Sequence, residues 1–496
     1  MKGKMKNVEK YGVKRKKGIT ILALSVTIII LLILAGVSIT TLGGDNGIVV
    51  NASKAKFMTE VRDIQEQIEL AEIKNNDGED FQFGTLEKII ERIDGYNEIL
   101  SVENGNLVYD AEKVSKSQAK WLENMDIYAK QNWIPIYTGE QLQKIASGDY
   151  VLIEEVGGIS YNFSSDASYS IQNNIDLNGS EEKKWTPISS FEGTLNGNHY
   201  TISNVYIYDE QRPSMFRENN GYIYDICINN LKVSNSYSSG CAMITNTNKG
   251  TISGIKITGT IDIAVGGNGI LTANNYGEIY NCYNYAESTV MPLVYKNNTE
   301  AMVKRCGNYA DTATSGISLY NYGTISECFN SGTIYRVTQA NGICTVNDGI
   351  IEKCYNKGTI TGSSSTYGGI VYQNNANGII RYCYNAGDVI GYINKQTGGI
   401  VCYNKGKIQN CYNIGEVTTS GISYTNEGTI LNSYYLDAKA INYCNSDTGT
   451  ISSECKALNS MEMQEVYKIL NEEEKIFVND DKNLNFGYPI FYWQIE

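Results

Sequence analysis

The chain has 496 residues, of which 19 % are charged, with a formal net charge of −13 and a pI near 4.9. Such an acidic chain lacks the basic face that nucleic-acid binding needs, so we expect no nucleic-acid partner. It is rich in glycine (48) and tyrosine (38) and has only 5 prolines. This composition predicts many short strands separated by tight turns, and the length allows a few domains or one long repeat array.

Residues 1–18 form a basic leader, and the stretch from Ile19 to Ile39 contains no charged residue. A helix over that stretch spans about 30 Å, the thickness of one hydrocarbon core. Because the positive charges precede it, we predict a single transmembrane helix over residues 19–42 with a cytoplasmic N-terminus and an extracellular C-terminal part. We therefore expect a membrane partner and a location at the cell surface.

The junction Lys16-Lys17-Gly18 before the apolar run, and GDNGIVVNASKAK at 44–56, resemble the N-terminus of type IV pilin-like proteins. The resemblance implies that the leader is cleaved after Gly18, so that Ile19 becomes the new N-terminus. Those proteins usually carry a glutamate five residues after the cut, where this chain has Ala23. The departure favours membrane anchoring over polymerisation, and a minor pilin-like adhesin in a filament stays an alternative.

Two short regions follow the membrane segment. Residues 43–78 are predicted to form a stalk helix because apolar residues from Phe57 to Ala71 recur at helical spacing. Residues 79–135 combine a helical pattern at 83–100, a hairpin around Asn104-Gly105 and a helix at 115–125. This region is predicted to be a small α+β module without catalytic residues.

The rest of the chain repeats itself. NYGTISECFNSGTI at 321–334 returns as NDGIIEKCYNKGTI at 347–360. We place Glu300 at the turn of one degenerate repeat that lacks its glycine. With Glu300 counted as one of the turn positions, the turns recur at steps of 22 to 29 residues, a period typical of solenoids. The turn glycines are Gly221, Gly250, Gly277, Gly323, Gly349, Gly378, Gly406 and Gly428.

Each repeat contains three short apolar runs and three turns, which predicts one coil of a parallel β-helix over residues 136–455. Ten or eleven such coils would make a rod about 50 Å long. We attribute the turn glycine to a positive φ at a tight corner, and the asparagines to amide ladders between coils. A helix around Leu142 to Ala146 and a C-terminal cap over 456–496 are predicted to close the two ends.

Cysteines recur once per coil, which predicts small buried hydrophobic side chains in a narrow core. Disulfides between stacked coils are an alternative, whereas ligands in a line cannot form a tetrahedral metal site. We expect no metal and no cofactor, and free thiols outside the cell would indicate a reducing habitat. The main column is Cys282, Cys306, Cys328, Cys354, Cys383 and Cys411, with Cys227 and Ser433 placed at its ends and a second column at Cys241, Cys344 and Cys402.

The array resembles the GLUG-motif repeat proteins of bacterial surfaces. The resemblance rests on GGIVYQNNANGIIRYCYNAGDV at 368–389, GGIVCYNKGKIQNCYNIGEV at 398–417, WTPISSFEGTLNGNHYTISNVYI at 185–207 and GYPIFYWQ at 487–494. It covers roughly residues 136 to 496. It implies a right-handed parallel β-helix that is displayed on a cell surface or secreted, and it implies no single activity.

Catalytic residues are not expected. Glycan-cleaving chemistry needs carboxylates gathered on one face, and only Asp388 and Glu416 occupy equivalent places in neighbouring repeats. Earlier repeats carry threonine there, so we interpret the pair as solvated surface residues. His199 is the single histidine and lies in a turn motif, which argues against nucleophilic catalysis.

An aromatic residue follows each cysteine of several repeats and should point away from the cysteine face. A column of rings could bind glycans or another protein, or it could simply stack from coil to coil. We predict a non-enzymatic, membrane-anchored surface β-solenoid for adhesion, with a glycan-active enzyme as the main alternative. The candidate aromatic binding face is Tyr283, Phe329, Tyr355, Tyr384 and Tyr412.

Overall fold

The structure is a computed structural model that divides into two compact units, Met1–Asn132 and Trp133–Glu496. Among the described residues, no helix combines the length and apolar character needed to cross a bilayer. The predicted span at 19–42 and the candidate cleavage site at Gly18 and Ile19 lie outside the described residues. The structure describes residues 54–62, 64, 99–103, 106–110, 113–123, 125, 127–129, 133–208, 213–234, 241–263, 269–289, 291–335, 339–362, 366–392, 396–472 and 474–495.

In the first unit, residues 54–62 and 64 are helical, which is part of the predicted stalk. The predicted hairpin is present, with Leu100–Glu103 antiparallel to Asn106–Tyr109. The helix Lys116–Glu123 begins after Ser115, whose hydroxyl accepts a hydrogen bond from the Gln118 amide at 3.2 Å. Tyr128–Ala129 adds a parallel strand. The buried core of this unit contains Phe57, Val61, Ile64, Leu100, Leu107, Tyr109, Leu122 and Ile127.

The second unit is a parallel β-solenoid of about ten coils, as the repeat predicts. Each full coil visits three sheets in turn, which we name A, B and C, and neighbouring coils pair in parallel. A strand of sheet A ends at an asparagine, a turn leads to sheet B, and a corner at the cysteine leads to sheet C. Three sheets wound this way enclose one continuous apolar interior.

Sheet A holds the strands that end at the repeating asparagine, and some coils add a short second strand. Its strands are Phe216–Asn219, Thr245–Asn248, Thr272–Asn275, Val294–Asn297, Ser318–Asn321, Ala340–Asn341, Cys344–Asn347, Thr366–Gly368, Val371–Asn374, Gln396–Gly398, Val401–Asn404, Ser420–Asn426 and Asn442–Asp447.

Sheet B follows the turn, and each of its strands from Thr194–Asn196 to Thr429–Leu431 places one isoleucine, valine or leucine in the interior. Its strands are Ile134–Ile136, Ser168–Ile171, Thr194–Asn196, Tyr222–Tyr224, Thr251–Ser253, Glu278–Tyr280, Met302–Lys304, Thr324–Ser326, Ile350–Glu352, Ile379–Arg381, Lys407–Gln409, Thr429–Leu431 and Thr450–Ile451.

Sheet C carries the aromatic residues that follow the cysteines. In the middle coils, a separate four-stranded sheet follows it along the chain. The strands of sheet C are Ile175–Asp176, Thr201–Tyr208, Cys227–Ser234, Lys256–Ile263, Tyr283–Ala286, Gly307–Asn308, Phe329–Asn330, Tyr355–Asn356, Tyr384–Asn385, Tyr412–Asn413, Tyr434–Leu436 and Lys456–Leu458. The four-stranded sheet contains Ser288–Thr289, Asp311–Thr312, Ile334–Tyr335 and Ile360–Thr361.

The six cysteines of the main column are fully buried in the solenoid interior, which confirms their prediction as core residues. Every cysteine in the described part of the chain is a free thiol. Ser433 continues the column, since its hydroxyl accepts a hydrogen bond from the Cys411 amide as the Cys411 sulfur does from the Cys383 amide. Burial raises the pKa of the Cys354 thiol well above its usual range, so that thiol stays neutral.

Two cysteine assignments from the sequence are wrong. Cys227 pairs in register with Lys256, and Lys256 pairs with Tyr283, so Cys227 stands in the aromatic column rather than the cysteine column. The second column also fails, because Cys344 aligns with Val401, one residue before Cys402. Counting from the turn glycine gives the same register, since Cys227 is six residues after Gly221, as Tyr283 is after Gly277. Cys344 is likewise five residues before its turn glycine, whereas Cys402 is four residues before its own.

The reason given for the turn glycines is also wrong. None of these glycines has a φ in the left-handed region. A Cβ on Gly277 would instead lie 2.0 Å from the carbonyl oxygen of Gly250 in the preceding coil, and a Cβ on Gly250 would lie 2.0 Å from that of Gly221. At Gly250 and Gly277, glycine is needed because the backbone of the preceding coil leaves no room for a side chain.

Positive φ falls at other places, chiefly at the residue before the cysteine, as at Lys353 (53°) and Tyr382 (52°). Glu300 also has a positive φ (67°), yet it does not occupy the glycine position. Met302 pairs with Glu278 and with Thr324, so Ala301 stands where its neighbours have glycine. The turn of this coil is two residues longer than in the coils on either side.

The predicted asparagine ladders are confirmed, and there are two of them. In each ladder the side-chain Nδ2 donates to the side-chain Oδ1 of the equivalent asparagine one coil further on, at 2.7 to 2.9 Å. The first follows the ends of sheet A: Asn219, Asn248, Asn275, Asn297, Asn321, Asn347, Asn374, Asn404 and Asn426, closing on Asp447. The second follows sheet C: Asn284, Asn308, Asn330, Asn356, Asn385 and Asn413.

At the start of the solenoid, the helix Gly139–Lys144 is fixed by a capping box at Thr138. Leu142 and Ile145 are buried within the core of the solenoid, as predicted for a cap. The hairpin of Tyr150–Ile153 and Ile159–Asn162 follows, and the turn Glu154–Val156 connects its strands. Apolar side chains from this region thus cover the interior of the first coils.

The other end differs from the prediction. Lys456–Leu458 forms the last strand of sheet C, and the residues after it run back along the flank of sheet C. We call residues 460–472 and 474–495 the C-terminal segment; it comprises the helices Ser460–Gln464 and Tyr467–Leu470 and the hairpin of Phe477–Val478 and Ile490–Phe491. Its buried residues pack on the aromatic column and not on the solenoid interior, because that column is apolar and faces outward.

Candidate ligand-binding cleft

The corner before sheet C separates two kinds of side chain. The cysteine points into the solenoid, and the next residue points outward, as the sequence predicts. The outward column runs in strict register through Tyr283, Gly307, Phe329, Tyr355, Tyr384, Tyr412 and Tyr434.

Four rings of this column lie face to face. Phe329 and Tyr355 have ring centroids 5.1 Å apart, and the rings of Tyr355 and Tyr384 are also 5.1 Å apart. Tyr384 and Tyr412 follow at 5.0 Å, with an interplanar angle of 8°. One coil lacks a ring because it has Gly307, and the ring of Phe329 fills that space within 2.3 Å of where a Cβ would stand.

The C-terminal segment covers part of the column. Tyr384 and Tyr412 are fully buried beneath it, where the ring of Phe491 lies 5.2 Å from Tyr384 and that of Phe477 lies 5.6 Å from Tyr412. The Tyr384 hydroxyl donates to the Gln494 side chain. These two members of the predicted binding face therefore belong to a second core, and in this structure they offer no surface to a ligand.

Outward residues at the corners hold the segment in place. Glu472 accepts hydrogen bonds from the side chains of Gln409 and Asn410, both at 2.9 Å, and from the Tyr382 hydroxyl. These hydrogen bonds lower the pKa of the Glu472 carboxyl, that from Asn410 most strongly. Further along, the Asn432 amide donates to the Ile469 carbonyl oxygen at 3.1 Å.

Where the C-terminal segment stops, the column opens into a cleft of about 610 Å³. That volume is within the range of small-ligand sites, about 300–1,000 Å³. The cleft is lined by Asn281, Tyr283, Tyr285, Arg305, Tyr309, Phe329, Tyr355, Lys357, Leu484, Trp493 and Gln494. It thus includes Tyr283, Phe329 and Tyr355 from the predicted face.

Two tyrosines that the sequence analysis missed form the outer wall. Tyr285 and Tyr309 stack at 4.6 Å with an interplanar angle of 11°, and each is 45 % exposed. The ring of Tyr309 also meets that of Phe329 edge-on at 5.1 Å. The sequence does carry a signal, since each follows an asparagine of the second ladder, where Lys357 stands two coils later.

Another part of the lining comes from the C-terminal segment. The indole of Trp493 stacks on Phe491 at 5.7 Å and lies 5.8 Å from the ring of Tyr355. Its Nε1 is buried and has no hydrogen-bond partner among the described residues. The aromatic walls and their partial exposure are typical of sites that bind a flat, partly apolar ligand face.

Two side chains of the cleft, Lys357 and Arg305, can only donate hydrogen bonds, whereas its amides and phenols can both donate and accept. The Lys357 ammonium donates to the Leu484 carbonyl oxygen at 2.7 Å and lies 5.3 Å above the Tyr355 ring. Burial lowers the pKa of Lys357. Arg305 Nε is 2.7 Å from the carboxylate of Glu327. Burial also raises the pKa of the Tyr309 phenol to about 12, so that phenol is protonated at neutral pH.

The residues considered for catalysis are not gathered in this cleft. The Asp388 carboxylate accepts a hydrogen bond from the Glu416 amide at 2.9 Å, so the two stand on neighbouring coils as expected, outside the cleft. His199 is an exposed corner residue with a φ of 61°. Within the described residues, no group of three or more histidine, cysteine or acidic side chains could hold a metal ion.

Comparisons with known proteins add little to this geometry. No protein-family model matches the chain, and no curated protein matches it. Among solved structures, the chain is similar to a "putative immunoglobulin A1 protease" from Bacteroides ovatus, with 19 % sequence identity and a TM-score of 0.33. The match covers 72 % of this chain and 92 % of that chain. A likeness at this level carries no functional information for this chain.

Proposed function

We propose that this protein is a membrane-anchored surface β-solenoid that binds glycans through the cleft between Tyr285, Tyr309 and Trp493, without cleaving them. The observation that carries the proposal is the cleft itself, an open site of about 610 Å³ walled by aromatic rings. Pyranose rings present flat C–H faces that stack on aromatic side chains, while their hydroxyls take hydrogen bonds at the rim.

Binding without cleavage is supported by the residues at the cleft. Glycoside hydrolysis requires a pair of carboxyl groups on either side of the scissile bond. The cleft-lining residues in the described part of the chain contain no aspartate or glutamate. Glu327, two residues before Phe329, is paired with Lys304 and Arg305 of the preceding coil.

The cellular setting of the proposal rests on the sequence alone. The charge-free stretch from Ile19 to Ile39 after a basic leader supports a single membrane span with the solenoid outside the cell. On the strength of the two sequence resemblances, we also propose that the solenoid is a right-handed, GLUG-like surface domain and that the N-terminus is processed like that of a pilin. Mass spectrometry of the native N-terminus tests the last point: a chain that begins at Ile19 supports cleavage, and one that keeps residues 1–18 contradicts it.

A glycan array tests the binding function, with the full-length chain purified in a mild detergent. We expect the wild type to bind a subset of glycans and Tyr309→Ala to bind them at least about tenfold more weakly, because one stacking platform is lost. Tyr276→Ala removes a similarly exposed tyrosine (53 % against 45 % for Tyr309) at a turn outside the cleft and should bind like the wild type.

Two results would contradict the proposal. If the protein is folded, as shown by circular dichroism, and binds none of the glycans, it has no glycan-binding function. Release of shorter products from a bound glycan, followed by mass spectrometry over a day, would instead make the protein an enzyme.

A further inference from the structure

The last coil of the solenoid leaves its interior partly open to solvent. Three columns of inward side chains end in this coil, at Cys444 in sheet A, Ile451 in sheet B and Cys455 at the corner before sheet C. All three residues are only partly buried. By contrast, their in-register neighbours in the preceding coil are fully buried, namely Ser423, Ile430 and Ser433. The columns reach solvent because, among the described residues, no further coil covers them.

The backbone of the last coil is also paired on one side only. In the part of the chain that the structure describes, Asn442–Asp447 and Thr450–Ile451 each pair with a strand of the preceding coil and with no other strand. Such an edge offers amide and carbonyl groups to another strand, and proteins commonly block it with lysine or proline. Residues 442–451 contain neither, and Asp447 is their single charged residue. The edge is therefore suited to pairing.

The two ends of the solenoid are not equivalent. After Lys456–Leu458 the chain turns back along the flank of sheet C, and Ile441, next to the open edge, is 76 % exposed. At the first coil, the helix Gly139–Lys144 places Leu142 in the core. The first strand of sheet B also contains Pro135, which has no backbone N–H to donate. Only the last coil thus presents an open edge together with partly exposed interior side chains.

The form of the open end restricts what can cover it. An extended peptide can pair with the edge of one sheet, whereas a whole coil can pair with sheets A and B together and cover the interior between them. Head-to-tail addition of a second copy is disfavoured because its first coil is closed. The last coil of a second copy has the required size, the same unpaired strands and little charge to repel its equivalent.

We infer that two copies of this protein associate through their last coils, with Asn442–Asp447 pairing antiparallel with the same strand of the second copy across a two-fold axis. Such a contact is self-complementary, because each copy offers the edge that the other requires. With the axis at the centre of the strand, Asp447 lies opposite Asn442 of the second copy, which keeps the two carboxylates apart. One coil is a small surface, so we expect a reversible pair whose population rises with concentration.

Light scattering coupled to size-exclusion chromatography measures the association, with the full-length chain in a mild detergent over a series of concentrations. We expect the wild type to change from monomer to dimer as its concentration rises. Asn445 is exposed at the centre of the paired strand, and Asn445→Lys brings two positive charges together there. This variant should raise the Kd of the dimer at least about tenfold.

The matched control is Asn377→Lys, which makes the same substitution at an exposed turn of an inner coil and should dimerise like the wild type. If circular dichroism shows that Asn445→Lys does not fold, Ile441→Lys provides the second measurement at the same edge.

Cysteine alkylation locates the contact within the wild-type chain. Iodoacetamide should modify Cys444 more slowly as the protein concentration rises, because the second copy covers this thiol. Cys227 is also partly buried but lies in a coil far from the last one, so its rate of modification should stay constant. Peptide mass spectrometry distinguishes the two sites.

Three results would overturn the inference. One is a chain that stays monomeric at every concentration. Another is a dimer that Asn445→Lys weakens no more than Asn377→Lys does, because the contact would then lie elsewhere in the chain. The third is a Cys444 that resists alkylation in the monomer, which would show that another part of the same chain covers the last coil. None of these results bears on glycan binding, which concerns a different surface.

Discussion

At the scale of single residues, the corner between sheets B and C places two neighbouring side chains in different environments. The cysteine of the pair lies in an interior shared by all coils, and the aromatic residue lies on the outer face. Because side chains alternate across a strand, one residue of offset decides between these environments. This is why Cys227, which sits in the aromatic register, is only half-buried while Cys282 is fully buried.

The turn glycines provide the sharpest test at this scale. In Gly277→Ala the new methyl group would stand 2.0 Å from the Gly250 carbonyl oxygen, so the coils must separate locally. We expect a loss of about 3 kcal/mol in the free energy of unfolding, measured by urea denaturation. Tyr276→Ala, one residue earlier and exposed, should change it by less than about 0.5 kcal/mol. A neutral Gly277→Ala would show that the coil spacing is not fixed by backbone contact.

At the scale of elements, the C-terminal segment packs along the outer face of sheet C. It covers Tyr384 and Tyr412 with Phe477 and Phe491, and it leaves the earlier part of the column open. The position at which it ends therefore sets the extent of the cleft. The rings under the C-terminal segment and the rings in the cleft belong to the same column. The rings that the segment covers form a core, and the rings that it leaves uncovered are available to a ligand.

Removing the segment should expose that second core. A chain that stops after Asn459 retains the strand Lys456–Leu458 but uncovers Tyr384 and Tyr412. We expect it to elute from size-exclusion chromatography as aggregates and to bind the dye ANS, because a large apolar patch reaches solvent. A monodisperse, ANS-negative truncation would contradict a covering role for the segment.

The hydrogen bonds that Glu472 accepts from Gln409 and Asn410 predict that the attachment of the C-terminal segment depends on pH. Its pKa is lowered in the folded state by hydrogen bonds from Asn410 and Gln409, so the contact stabilises the fold above the ordinary pKa of 4.5. This stabilisation is lost as pH falls through the lowered folded pKa. We expect the fluorescence of Trp493, isolated by subtracting the Trp493→Phe signal, to change between about pH 5 and pH 3. Glu472→Gln should abolish that step, and persistence of the step in this variant would assign it to another group.

At the scale of the whole molecule, the solenoid repeats one set of contacts about ten times. Isoleucines, cysteines and two amide ladders each continue from coil to coil, and every coil supports the next. Such arrays unfold through interfaces between neighbours, so the interior opens only when several coils separate. Interior residues should consequently be inaccessible to reagents over most of the chain.

Cysteine labelling measures this protection. Of the twelve cysteines, only Cys227, Cys444 and Cys455 are partly exposed, and the other nine are buried. Because the thiolate is the reactive form and burial disfavours it, we expect iodoacetamide to modify no more than these three in the native protein. All twelve should react in denaturant, as counted by intact-mass spectrometry. Rapid native labelling of Cys354 or Cys383 would contradict the buried column.

The sequence by itself determined the solenoid, its three strands per coil, the interior cysteines and the asparagine ladders. These follow from local spacing, because most coils repeat the same types of residue in the same order. It also located part of the aromatic column, including Tyr283 and Phe329 in the cleft. It did not reveal why the turns need glycine, since that need arises from the backbone of the preceding coil and not from local φ.

Only the tertiary structure decided which aromatic rings face solvent. The C-terminal segment folds back over coils that precede it by about 70 to 130 residues in sequence, and no local pattern specifies that distance. The same return brings Trp493 into one cleft with Tyr309 and Lys357, so the cleft exists only because two distant parts of the chain meet there. The spacing of residues along the chain determines the strands and turns of each coil, and long-range packing determines which outer surfaces of a coil are exposed to solvent.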